Sequence, residues 1–177
     1  MKTVASIPIL IISCLQLLVA QSTVGPGYEQ THFSAEDESV MHPIVVPGEA
    51  LRLIKEDPFV AEALKSQAPA TTQVPAGWLM ASGVHLAGTD ESDIVVVAAG
   101  LLSGANVTTF WVLRPADRGY ELLLTAPAHD LVIKRTRSKG YKNIELLSAT
   151  AVGVSTVSFR FDGRRYQVQA RSSKPIR

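Results

Sequence analysis

The sequence predicts a mainly β protein: two four-stranded antiparallel, blade-like units stacked as a sandwich or half-barrel, with a short N-terminal helical pair. Three observations carry this. From Gly77 to Ala170, short runs rich in Val, Ile, Leu, Thr and aromatics alternate with Gly, Asn, Asp and Pro turns. The last two runs alternate apolar and polar residues on either side of Asp162-Gly163. The pattern of Asp93–Arg114, an apolar run, a Gly/Ser/Asn loop and a second apolar run, returns about fifty residues later. At 177 residues the chain is long enough for one domain with a real core and too short for two large ones.

Taken in order, residues 1–22 read as a secretory signal peptide. Lys2 precedes an apolar run from Ile7 to Ala20, interrupted by Ser13, Cys14 and Gln16, and small residues follow. The run is short for a membrane span. Cleavage after Ala20 or Ser22 is expected, with an uncleaved anchor as the alternative. Cys14 is the only cysteine. Ile11-Ile12-Ser13-Cys14 loosely resembles a lipobox, but Leu15, Leu17, Leu18 and Val19 carry the apolar run past it. The exported chain then holds no disulfide and must be stabilised by burial. The expected location is periplasmic or extracellular, with no transmembrane span after cleavage.

Residues 23–46 are expected to be flexible: Gly25-Pro26-Gly27 breaks regular structure, and Glu36-Asp37-Glu38 is a short acidic cluster. Residues 43–46 either add an edge strand or lie extended against the domain. The helical pair spans 47–66. Leu51 and Ile54 have helical spacing in the first helix. Asp57-Pro58 is a restart signal, with Asp as N-cap and Pro in the first turn. Phe59, Val60, Ala63 and Leu64 form the apolar stripe of the second helix. Helices this short need a surface to pack on. Residues 67–76 are a linker, 77–171 the β domain and 172–177 a basic tail.

Eight strands are expected in the β domain: 78–82, 93–98, 107–114, 120–125, 130–136, 143–148, 155–162 and 165–170. A two-residue turn at Asp162-Gly163 would pair Phe159 with Tyr166 and Val157 with Val168. Phe110–Leu113 is apolar on both faces and is expected to be central and covered on both sides. In the repeat, Asp93-Ile94 aligns with Asn143-Ile144, Phe110 and Val112 with Phe159 and Phe161, and Tyr120 and Leu122 with Tyr166 and Val168. The alternative is that short antiparallel strands share such patterns without duplication.

Residues His85-Leu86-Ala87-Gly88-Thr89-Asp90-Glu91-Ser92-Asp93-Ile94-Val95-Val96 resemble a degenerate FG-GAP/VCBS repeat through Gly88, Asp93 and the apolar strand. The calcium-ligating positions of that family fall here on His85, Ala87 and Thr89, a set unsuited to calcium, so calcium binding is not carried over. The helical pair, the β unit and the ending Phe159-Arg160-Phe161-Asp162-Gly163-Arg164-Arg165-Tyr166 are similar to a group of small exported bacterial proteins. The two units cannot close a propeller, and open edges invite aggregation. Sandwich packing, with the helical pair over an edge or open face, is therefore expected.

No catalytic or metal motif stands out, and no cofactor is expected. His32, His42, His85 and His129 have no ligand spacing. His129 and Asp130, as neighbours at a strand start, are expected to point apart. The serines lack a nucleophile-elbow context. Asp93 is expected to cap a turn, with Asp90 and Glu91 solvated; an acidic pair of the glycosidase kind is the alternative. Asn106-Val107-Thr108 has the form of a glycosylation sequon.

Charge is the main functional hint. Thr23–Asp93 holds 3 basic against 11 acidic residues, while Ile94–Arg177 holds 13 basic against 5 acidic. Lys134, Arg135, Arg137, Lys139 and Lys142 cluster around one expected hairpin, and Arg160, Arg164 and Arg165 around another. Adjacent hairpins would make a basic binding face; alternatively, the acidic N-terminal part folds over it. The expected function is a non-enzymatic exported binding module for a protein or an anionic envelope polymer. An inhibitor of an extracellular hydrolase, presenting the Leu101–Thr108 loop, is the alternative, and a small hydrolase comes third. Nucleic acid is not expected as a partner.

Overall fold

The computed structural model describes residues 29–67, 73–88 and 92–175. The expected signal peptide, residues 68–72 of the linker, and Thr89, Asp90 and Glu91 lie outside the described residues. Within them the chain runs β1 (His32–Ser34), α1 (Gly48–Lys55), α2 (Pro58–Gln67), β2 (Leu79–Val84), β3 (Asp93–Ala98), β4 (Thr108–Ala116), β5 (Gly119–Ala128), β6 (Asp130–Ser138), β7 (Tyr141–Thr150), β8 (Gly153–Phe161) and β9 (Tyr166–Pro175). One antiparallel sheet has the order β2-β3-β4-β5, the other β1-β6-β7-β8-β9. Each expected four-stranded unit is therefore a meander. The strands that the repeat aligned, carrying Asp93 and Asn143, Phe110 and Phe159, and Tyr120 and Tyr166, take the second, third and fourth places of the two meanders.

The sheets pack face to face as a sandwich. Val95, Val97, Phe110, Val112 and Leu124 of the first sheet meet Leu131, Ile133, Ile144, Leu146, Phe159 and Phe161 of the second. A second core lies on the other face of the four-stranded sheet. There Ile94, Val96, Trp111 and Leu113 pack against Ala50 and Ile54 of α1 and Val60 and Leu64 of α2. Strand period explains the division: alternate side chains of β3 and β4 point to opposite faces. Phe110 through Leu113 are all fully buried, because that strand is covered on both sides.

The helices are placed by Asp57. Its Oδ1 accepts the Phe59 N–H at 2.9 Å, the expected N-cap bond. Each helix buries residues four apart, Ala50 with Ile54 and Val60 with Leu64. Phe59, expected in the stripe, remains 47% exposed. It precedes Val60 by about 100° around the helix and falls on the flank of the buried face.

Three expectations need correction. Residues 23–46 are more ordered than expected where described. β1 pairs with β6, and Phe33 is fully buried between the sheets, where no short polar tail would place it. Residues 43 and 44 run along the β2 edge, with Pro43 bridged to Ser82 and the Ile44 N–H donating to Ala81 O at 2.9 Å. The terminal hairpin has a different register. Phe161 pairs with Tyr166 and Phe159 with Val168. The Asp162 N–H donates to Arg165 O, so the turn tip is Gly163-Arg164, one residue beyond the expected centre. Gly163 takes φ +107°, which an L side chain rarely adopts. As far as the slip between Ser158 and Phe159, pairing moves by two residues and side chains keep their expected face; beyond it the extra residue Gln169 sets Val157 opposite Arg171. Finally, the expected basic tail is strand as far as Pro175, since β8 begins at Gly153 and gives it a partner.

Candidate functional site

The β6–β7 and β8–β9 hairpins are adjacent through the β7–β8 pairing, so the expected basic residues share one sheet. They do not form one uniform face. Lys134 Nζ donates to Glu145 Oε2 at 2.8 Å across the β6–β7 ladder. Lys142 Nζ donates to Glu29 Oε2 at 2.6 Å, so the acidic N-terminal segment does cancel part of the face. Arg137 donates from Nη1 to the carbonyls of Leu86 and Gly140. Arg135, Lys139, Arg160, Arg164 and Arg165 are exposed and form no ion pair among the described residues.

Topology gathers several of the remaining cations at one end. β5 passes into β6 through the single residue His129. Antiparallel alternation then puts the β4–β5, β6–β7 and β8–β9 turns together at the opposite end. Lys139-Gly140 is a two-residue turn with both φ values positive, closed by Ser138 and Tyr141. Arg114 lies 6.0 Å from the Tyr141 ring centroid and 5.6 Å from that of Phe161, which bridges the two sheets at this end. Its Nη2 donates to Glu121 Oε2 at 2.6 Å. Phe161 stacks on Tyr141, with ring centroids 4.2 Å apart.

A groove of about 650 Å³ opens beside Arg114, between the edge strands β5 and β9. Arg164, Arg165 and Gln167 line it from one sheet and Glu121 and Leu122 from the other. A second groove of about 440 Å³ shares Leu122, Arg165 and Gln167 and continues to Leu124, Phe159 and Val168. Leu122 is 42% and Val168 45% exposed, an apolar pair beside a charged rim in which Arg114, Arg164 and Arg165 outnumber Glu121 and Asp162. Asp162 organises the turn that presents the arginines: its Oδ1 accepts the backbone N–H groups of Arg164 at 2.7 Å and Arg165 at 2.9 Å. Those backbone donors hold its carboxyl below the ordinary range. Tyr166 anchors β9 at the groove floor. Its hydroxyl donates to Lys142 O at 2.7 Å, and burial, reinforced by the nearby Asp93 charge, raises its pKa.

Asp93 caps the loop before β3, as the sequence suggests. Its Oδ2 accepts N–H bonds from Leu86 at 3.0 Å and Ala87 at 3.3 Å, and the residue is 2% exposed. Burial raises its pKa, partly opposed by those two bonds. The expectation that His129 and Asp130 point apart is wrong. His129 is the link residue between two strands and escapes their side-chain alternation. Its Nδ1 lies 3.0 Å from Asp130 Oδ1 and its Nε2 3.3 Å from Glu36 Oε1, while His32 Nε2 lies 3.4 Å from the same Asp130 oxygen. These are pairwise contacts: among the described residues no group of three His, Cys, Asp or Glu side chains could hold a metal ion.

The nearest approach to a nucleophile and base is Ser92 Oγ, 3.4 Å from His85 Nε2. Behind it, His85 Nδ1 stands 3.8 Å from Glu29 Oε1, beyond hydrogen-bond reach. Glu29 is engaged elsewhere, by the His85 backbone N–H and by Lys142. The Leu86 and Ala87 N–H groups are taken by Asp93, so they are not donors for an oxyanion. The β5–β9 grooves lie apart from these residues. Sequence reasoning missed Arg114; its signal was an arginine ending an otherwise wholly apolar run. Comparison with protein-family models, curated proteins and solved structures finds no match.

Proposed function

We propose that this chain is an exported, non-enzymatic binding module whose contact region is the basic end of the sandwich and the groove between β5 and β9. Its partner is a protein or an anionic envelope polymer. One observation carries the reading: Arg164 and Arg165, free of ion pairs among the described residues, flank a groove that also exposes Leu122 and Val168. The open serine–histidine geometry at Ser92 and His85 supports a binding role over hydrolysis. Among the described residues, no helix is long and apolar enough to cross a membrane.

Affinity capture from envelope and secreted fractions tests the reading, with the parent chain and an Arg164→Glu/Arg165→Glu variant as baits. A partner held by the parent at physiological salt and lost with the variant supports it. Equal capture by both moves the contact away from the groove. Capture only at low salt reduces it to weak ion exchange.

A second reading, inhibition of an extracellular hydrolase, draws support from the 101–108 loop. Leu101 is 66% and Val107 43% exposed, yet the loop is braced by Gly104 N–H to Val107 O at 2.8 Å and Thr108 Oγ1 to Ala98 O at 2.6 Å. Replacing residues 103–107 with a short glycine loop separates the two readings, because it would abolish inhibition and leave groove binding unchanged.

A further inference from the structure

The sheet edges are treated unequally. β1 is sealed by its own neighbourhood: Gln30 Nε2 donates to His32 O, and the Ser34 N–H is taken by Asp37 Oδ2, both at 2.9 Å. β2 is covered by Pro43 and Ile44. β5 carries Pro127 and a bulge at Leu123, where pairing slips between Val112 and Leu113. Among the described residues β9 has no strand on its outer side, and every β9 residue after Tyr166 is exposed.

The outward backbone groups of β9 can be identified. Asp162 N–H to Arg165 O makes 162 and 165 a hydrogen-bonded pair. Alternation along the ladder then makes Phe161–Tyr166 and Phe159–Val168 the pairs not bonded to each other. The N–H and C=O of Tyr166 and Val168 therefore point away from β8, toward the groove. The stretch ends at Gln169, which is left over where pairing slips between Ser158 and Phe159.

Resting on the binding-module reading, we infer that the groove receives a short, extended, acidic segment of a partner polypeptide, added as a strand along Tyr166–Val168. Three features of one place match such a segment together. The outward N–H and C=O groups match its main chain. Leu122 and Val168 match an apolar side chain on one of its faces. Arg164 and Arg165 match carboxylates next to it. An anionic polymer satisfies only the arginines, leaving the edge and the apolar pair unmatched. A second copy pairing through its own β9 would bring together two strands that each carry Arg171 and Lys174 and no acidic residue, which is unfavourable.

The test uses a fluorescently labelled ten-residue peptide alternating Val or Thr with Glu. The controls are the same peptide with Lys for Glu, a proline-interrupted version, and polyglutamate as a plain polyanion. Binding is followed by fluorescence anisotropy, and amide exchange of Tyr166 and Val168 by NMR. The expected result is saturable binding of the acidic peptide alone, with slowed exchange at both amides. Val168→Pro removes an N–H that β8 does not use; provided the NMR spectrum shows the fold retained, it is expected to weaken binding about tenfold. Arg165→Glu is expected to do the same without touching the main chain. Equal binding of polyglutamate and peptide, without amide protection, overturns strand addition and leaves a polyanion-binding module. No peptide binding, with a partner still captured through Arg164 and Arg165, overturns strand addition alone. No peptide binding and no such partner overturns both readings.

Discussion

The indole Nε1 of Trp111 donates to Oδ2 of Asp57 at 3.0 Å, joining the centre of the four-stranded sheet to the N-terminus of α2. Asp57 thereby serves two donors, the Phe59 N–H with one oxygen and the Trp111 N–H with the other. Asp57→Ala removes the cap and leaves a donor of a fully buried tryptophan without its partner. The expected loss is about 2–4 kcal/mol, read from urea unfolding followed by tryptophan fluorescence. Asp57→Asn has one acceptor oxygen left and falls between the two. A change below about 0.5 kcal/mol for the alanine variant would mean that the bond is replaced by water.

Asp93 tests whether a buried carboxylate is kept for its acceptor atoms. Asp93→Ala strands two backbone N–H groups and is expected to cost about 2–4 kcal/mol. Asp93→Asn keeps an acceptor and should cost less. Because burial raises the Asp93 pKa, protonation favours the folded chain. That contribution is fully present below the unfolded pKa and is lost as pH rises through the folded one. Parent stability relative to the asparagine variant should therefore increase as pH falls from neutrality. A decrease would show that the two N–H bonds outweigh desolvation.

The Glu29–Lys142 pair holds the start of the described chain against β7. With 24% and 17% of the side chains exposed, it is sheltered but not dry. A double-mutant cycle with Glu29→Gln and Lys142→Met is expected to give a coupling of about 1–2 kcal/mol. The coupling should fall only modestly with added salt. A coupling near zero would make Glu29 a solvated residue that happens to lie nearby.

His129 is pulled in opposing directions. Partial desolvation lowers its pKa, but the Asp130 and Glu36 carboxylates outweigh this and leave it raised. The contribution of the charged ring to holding Glu36 is present below the unfolded histidine pKa and is lost as pH rises through the folded value. An NMR titration should place the His129 pKa above the ordinary imidazole value, and Asp130→Asn should lower it. The Ala35 N–H, which donates to His129 O, should exchange faster on the alkaline side after correction for intrinsic rates. A pH-independent corrected rate would separate β1 docking from His129.

Where the sequence was informative, the physical signal was local. Four consecutive apolar residues, Phe110 to Leu113, cannot all be buried unless both faces of their strand are covered, and they are. Asp57-Pro58 named its cap unaided. β1 was not legible because three residues give no period to read and their partner lies far along the chain. The basic face was overcounted for the same reason. The acid that meets Lys142 is 113 positions away, and a count of charges carries no distances. Arg114 was not singled out, because the Tyr141 and Phe161 rings beside it come from strands far along the chain. The hairpin register depended on the Asp162 side chain, which caps the turn from within and moves its tip one residue.

Apart from β1, every strand pairs with its neighbour in sequence. Two meanders of this kind need only short loop closures and can zip locally and early. β1 is different: His32 faces Val132, so one of the first described segments must wait for a partner one hundred positions later. On a chain emerging from its N-terminus, Phe33 stays uncovered until the second meander exists. Docking of β1 is thus set to be a late event, and an interrupted chain ending before β6 would carry an orphaned hydrophobic residue near its start, a ready target for holding factors that keep unfinished chains from aggregating.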